Sequence, residues 1–121
     1  MRVGWTVPVT VVETPEFLSA TRKIMSHTER AQVVDYLAYN PKAGDVIAGT
    51  GGVRKLRWGL EGRGKRGGAR VIYFYHGVVM PLFLLSAYAK NERADLSYDD
   101  RREFKRLTTQ LVKYFFDRER S

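Results

Sequence analysis

Four cations stand at regular places in the middle of the chain. In VRKLRW, which begins at Val53, Lys55 and Arg57 are two residues apart and share a face if the run is a strand. Arg70 opens the run ARVIYFYH, and Lys90 closes PLFLLSAYAK. If the three runs are neighbouring strands, Lys55, Arg57, Arg70 and Lys90 converge on one patch with no paired acid close in sequence. Gathering like charge costs stability unless an anion arrives to offset it. Tyr73, Tyr75 and Tyr88 lie on the same runs, and any that faces the patch can stack on a base. Such a set suits RNA cleavage without a metal. A 2′-hydroxyl attacks the adjacent phosphorus, so a base must take its proton, donors must hold the added negative charge, and an acid must protonate the leaving 5′-oxygen. A lysine serves as that base only where its pKa falls, and nearby arginines push it down. The arginines meanwhile hold the phosphorane through paired hydrogen bonds.

Between Gly49 and Gly68 stand eight of the eleven glycines, and between Arg54 and Arg70 seven of the 21 basic residues against one acid, Glu61. Gly62-Arg63-Gly64-Lys65-Arg66-Gly67 matches G-x-G-x-x-G by letter. That pattern needs a helix after it to meet a pyrophosphate, and here a strand-like run follows. A P-loop fails for the same reason, and Arg66 stands where Ser or Thr would hold Mg²⁺. A kinase glycine loop lies between strands, but 121 residues are too few for a kinase. What remains is a flexible basic hairpin loop. Its glycines let the backbone approach a phosphate, and Arg63, Lys65 and Arg66 neutralise charge. Arg54, Tyr73, Arg93 and Tyr98 complete the candidate RNA-binding set. His76, ending its run, is a candidate acid or base, while His27 sits in a helix cap and carries no such role.

These residues need elements to hold them. TVPVTVV, residues 6–12, predicts a strand on its β-branched content. Thr14-Pro15-Glu16 predicts a helix start, with Phe17, Leu18, Thr21 and Ile24 along one side. Ser26 and Glu29 form a capping box for a second helix that turns Val33, Val34, Leu37 and Ala38 inward and stops at Asn40-Pro41. Three strands follow, with Leu56 and Trp58 opposed to Lys55 and Arg57, and Val71, Tyr73 and Tyr75 opposed to Arg70, Ile72, Phe74 and His76. Ser97 and Asp100 then begin a last helix, on which Phe104, Leu107, Leu111 and Phe115 line the buried stripe. The order β-α-α-β-β-β-α predicts an α+β domain. It would hold a small antiparallel sheet of about four strands, two N-terminal helices and one C-terminal helix.

Length and composition suit one domain over residues 1–121, with 44% apolar residues and 15 aromatics for a core. No segment approaches 18 consecutive apolar residues, so no membrane span is expected. The absence of cysteine excludes a disulfide scaffold and a thiolate site, and two distant histidines make no zinc site, so neither metal nor cofactor is expected. A net charge of +8 points to a polyanionic partner.

NPKAGDVIAGTGGVRKLRW, GKRGGARVIYFY and LFLLSAYAKNERADLS resemble the RelE/HigB branch of the RelE/ParE toxins, from type II toxin–antitoxin modules, over about residues 12 to 112. The resemblance implies a cytoplasmic mRNA endonuclease of the ribosomal A site, working without a cofactor. It also implies a cognate antitoxin, in the HigB branch usually a helix-turn-helix DNA-binding protein. By position, Lys55 and Arg57 match the family's basic pair, Arg70 its scissile-phosphate arginine, and Lys90 or a basic residue just beyond it the cation after the fourth strand. The chain departs from RelE proper in having Asn91 where an arginine would stand, with Arg93 two residues on. The family's C-terminal tyrosine falls at Ser97 or Tyr98. The general acid therefore lies among Lys90, Arg93, His76 and Tyr98. Two other functions stay open: a ParE-like gyrase inhibitor, a branch that generally lacks the basic cluster, and a non-catalytic RNA-binding domain.

Overall fold

The computed structural model of the chain describes residues 7–60 and 64–120, and the side chains of 7–60 and 68–117. In chain order the elements are β1 (Val11–Glu13), α1 (Pro15–Arg22), α2 (His27–Tyr39), β2 (Asp45–Val46), β3 (Val53–Leu60), β4 (Gly64–Phe74), β5 (Leu82–Ala89) and α3 (Tyr98–Arg120). This is an α+β domain in which three helices pack on one sheet. No helix among the described residues is long and apolar enough to cross a membrane.

Each helix begins where a local rule puts it. Thr14 accepts from the Phe17 N–H at 3.2 Å with Pro15 in the first position, and its hydroxyl donates to Leu84 O at 2.7 Å, fastening α1 to β5. Ser26 and Glu29 satisfy each other's amides at 2.9 and 3.1 Å. Ser97 and Asp100 do the same, both at 3.0 Å. Each cap removes orphan amides that would otherwise face the core or compete for water.

The sheet runs β1-β5-β4-β3-β2. The expectation of about four antiparallel strands needs correcting, because there are five and the sheet is mixed: β1 pairs with β5 in parallel, at Val12↔Phe83. No nearby hairpin fixes β1, so its direction is set by a partner some seventy residues away. It is also shorter than the predicted 6–12 run, of which Thr6 lies outside the described residues. Pro8 has no N–H to give, and the Val9 N–H donates instead to Ala38 O of α2 at 2.9 Å. The fifth strand, β2, is a two-residue pairing of Asp45 with Lys55 and Val46 with Arg54, too short for any alternation to show.

The expected glycine-rich loop is a second correction. β4 begins at Gly64, and Leu60 pairs with Gly64 after a register shift beyond Trp58. Glycine carries the same backbone donor and acceptor as other residues, and Gly68 O accepts from the Lys90 N–H of the neighbouring strand at 2.9 Å. Lys65 and Arg66 therefore stand on a strand, with side chains beyond those described, and Gly62 and Arg63 lie outside the described residues.

Two cores lie on opposite faces of the sheet. Phe17, Val33 and Leu37 from α1 and α2 pack with Leu56, Val71, Tyr73 and Leu84. On the other face, Val53, Ile72, Phe74 and Leu85 receive Phe104, Leu107, Leu111 and Phe115 of α3, the predicted stripe. Alternate residues of β3 and β4 thus serve different layers. Burying both faces is what allows so short a sheet to be stable.

Candidate active site

Beyond the α3-side core the sheet carries charge instead of hydrocarbon. Arg57 of β3 stands directly opposite Arg70 of β4, and Arg70 stands directly opposite Tyr88 of β5. The three side chains form a row across the strands, on the face that α3 covers further along. Partners in such ladders lie about 4.5–5.5 Å apart at Cα. Arg57 is exposed, Arg70 is only 5% exposed and Tyr88 8%. Among the described residues, Arg70 donates to Ala69 O at 3.3 Å, and neither arginine has a carboxylate partner. The Tyr88 hydroxyl is buried with no hydrogen-bond partner among them. Burial pushes this phenol up, as does the Asp95 charge, against the pull of Arg70, Arg93 and Arg101.

Two lysines flank the row. Lys55 lies two residues before Arg57 on the same face, and its ammonium donates to Asp95 Oδ1 at 3.3 Å. Asp95 Oδ2 meets Arg101 of α3 at 3.4 Å, and Arg101 also donates to Ala48 O at 3.3 Å. The Leu96 N–H, then Lys55 and Arg101, hold the Asp95 carboxyl below its ordinary value despite some desolvation. At the other end, the Lys90 N–H continues the β4–β5 ladder to Gly68 O at 2.9 Å, and its ammonium donates to Ala94 O at 3.1 Å. Arg93 lies 5.6 Å over the Tyr88 ring and is anchored to Asp100 at 2.6 Å. Tyr98, at the first turn of α3, is 75% exposed, with the Arg102 guanidinium 5.8 Å from its ring centre.

The turn that feeds β3 is pinned from α3. Thr50 is buried, donates to Ile47 O at 2.7 Å and accepts from the Val53 N–H at 3.0 Å. Thr108 of α3 donates to Thr50 O at 3.1 Å. Gly51 has φ +77°, and a Cβ there would collide with the Thr108 hydroxyl. The G-T-G-G run is thus a socket for α3 that fixes where Lys55 and Arg57 begin their strand.

The structure brings Lys55, Arg57, Arg70, Lys90, Arg93 and Tyr98 to one end of the sheet, and it removes others. Tyr73 is fully buried on the opposite face, accepting from the Gly44 N–H at 2.8 Å, so it cannot stack on RNA. Burial raises this phenol against that hydrogen bond. Tyr75 packs toward the same α1–α2 core. Arg54 also faces that side and spends its guanidinium on Lys42 O at 3.2 Å and Gly44 O at 2.7 Å, clipping the 42–44 loop to the strand. His76 is six residues along from Arg70, about 20 Å away in an extended chain, where it meets Phe74 and Phe116. That distance takes it out of the acid–base set.

Asp95 and Arg101 belong to the site and carry no motif that announces them. Arg101 had one usable signal. It sits three residues before Phe104 and so continues the buried stripe of α3 by one turn toward the patch. Asp95 had none, because its partner Lys55 is forty residues distant. This end of the sheet offers guanidinium and ammonium donors, a buried hydroxyl, and candidate bases or acids within the same row. That set is able to bind a phosphodiester and stabilise charge added to it. In comparison with known families, the model described as the RelE toxin of the RelE/RelB toxin–antitoxin system matches residues 20–118.

Proposed function

The chain belongs to the RelE toxin family of toxin–antitoxin systems, and from this premise we propose that it is an endoribonuclease that cuts mRNA in the ribosomal A site and so blocks translation. The observation that carries the proposal is the Arg57–Arg70 pair, with Arg70 buried and, among the described residues, no carboxylate against either. A buried cation without an anion is costly, and like charges directly opposite on a ladder add to that cost. A phosphate entering between them supplies the missing charge. The cleavage is metal-independent: the 2′-oxygen attacks the adjacent phosphorus and loses its proton. Arg57, Arg70 and the Tyr88 hydroxyl hold the phosphorane. The 5′-oxygen then leaves with a proton, giving a 2′,3′-cyclic phosphate and a 5′-hydroxyl. Lys55 and Lys90, at the two ends of the row, are the amines for these transfers, and Arg93 or Tyr98 meets the flanking nucleotides.

As a toxin of such a system the protein is paired with an antitoxin. We assign it to the HigB branch, with a helix-turn-helix antitoxin, on the sequence runs that resemble that branch. A ParE-like action on gyrase gives no use to the arginine row. The test is expression of the wild type and of Arg70→Ala in cells, followed by growth measurement and mapping of mRNA 5′ ends. Arrest with new ends inside translated frames, lost in the variant, supports the proposal. Arrest with intact messages overturns it.

A further inference from the structure

We infer that Asp95 is a positioning residue for Lys55, a role that rests on the endoribonuclease function proposed above. Its carboxylate joins three parts of the fold. Oδ1 accepts from the Lys55 ammonium at 3.3 Å and from the Leu96 N–H at 2.8 Å. Oδ2 meets Arg101 at 3.4 Å, and Arg101 reaches Ala48 O in the turn before β3. Lys55 has four rotatable carbons and would otherwise sample many positions above the sheet. The Asp95 bridge selects one of them, beside the Arg57–Arg70–Tyr88 row. There its amine is aimed at the oxygens whose protons must move in the cleavage proposed above.

Asp95 itself touches no reacting atom and acts through Lys55. Such outer contacts commonly decide whether a charged group is placed well enough to work, and small misplacements cost large factors in rate.

The experiment is cleavage of mRNA in purified ribosome complexes with an open A site, comparing wild type, Arg70→Ala, Asp95→Asn, Lys55→Ala and the Asp95→Asn/Lys55→Ala double variant. Asparagine keeps the shape of Asp95 and an oxygen for the Leu96 N–H, while it removes the charge that holds the Lys55 ammonium and the acceptor that faces Arg101, and a thermal melt checks that the fold is retained. The expected result for Asp95→Asn is a kcat about tenfold lower with KM within about twofold. In the Lys55→Ala background the same substitution is expected to change the rate less than about twofold, because nothing remains for Asp95 to place. Equal losses in both backgrounds, or no loss in either, overturn the inference while wild-type cleavage and the Arg70→Ala loss leave the endoribonuclease function standing. Absence of cleavage by the wild type brings down that function, and the inference with it.

Discussion

Arg57 and Arg70 face each other across the β3–β4 ladder, one exposed and the other buried, with no carboxylate of the described residues between them. Elsewhere the structure pairs its charges: Arg93 with Asp100, Arg101 and Lys55 with Asp95, Arg106 with Glu103. Among the described residues Arg70 differs from these in being buried as well as lacking a carboxylate, on a strand whose continuation is ordinary hydrocarbon core. On the function proposed above, the phosphate of the substrate supplies the missing charge.

Arg70→Met keeps most of the packing and removes the charge. Cleavage in ribosome complexes is expected to fall about 10²–10³-fold, the usual loss for a transition-state donor. Stability of the free protein should stay level or rise by about 0.2–1 kcal/mol as the like-charge pair disappears. Urea unfolding of the two proteins measures this, and a loss above ~2 kcal/mol would mean that Arg70 is there for the fold.

Arg57 is exposed and lies at the end of the row, so Arg57→Ala should move stability by no more than about 0.5 kcal/mol. Its effect belongs in the salt dependence of RNA binding. Each phosphate contact to a single strand contributes about 0.7 to the slope of log K against log salt. Titration of a labelled oligoribonucleotide at several salt concentrations should show the slope reduced by about that amount. An unchanged slope would place Arg57 away from the backbone.

The socket under α3 predicts a structural lesion remote from the charges. Thr108→Val deletes the hydrogen bond to Thr50 O inside the core and is expected to cost about 1–3 kcal/mol. Gly51→Ala must place a Cβ against the Thr108 hydroxyl at φ +77°, and should cost at least as much. Thermal melts of both variants test this, and cleavage should drop with them because the start of β3 loosens.

Acid should dissolve the start of α3. The Ser97 N–H above all holds Asp100 below its ordinary 3.8, opposed by desolvation and aided by the Ser97 hydroxyl and Arg93. A folded value below the unfolded one means stability fully present above the unfolded pKa and lost as pH falls through the folded pKa. Wild type should therefore exceed Asp100→Asn in denaturant melts by a constant margin from neutrality down to about pH 5, with the margin closing below about pH 4. A margin that persists unchanged at pH 2 would show that the charge of Asp100 contributes nothing.

What the sequence made legible was whatever obeys a local rule. Ser26 with Glu29 and Ser97 with Asp100 are three residues apart and could be read at sight, and the alternation in β3 and β4 assigned Leu56, Ile72 and Val71 to their faces. The same alternation, followed through, already set Tyr73 on the side away from Arg70. A burial of both sheet faces was harder to see, because helices on opposite faces leave the same stripes as helices on one. Asp95 joining Lys55, β1 lying parallel to β5, and Arg54 turning to the 42–44 carbonyls all depend on residues distant in the chain or on a side chain's choice of direction. No spacing encodes those.

The contacts of α3 with the G-T-G-G turn and with Asp95, the partner of Lys55, also impose an order in time. Chains fold from the N-terminus as they are made. Strands β3 to β5 can pair before α3 exists, but Thr108, Arg101 and the helix start that follows Asp95 come after them. An unfinished chain carries its arginine row on a sheet with one bare face, without the bracket that aims Lys55. An enzyme proposed to act on ribosomes thus acquires its working geometry only after α3 has followed the strands.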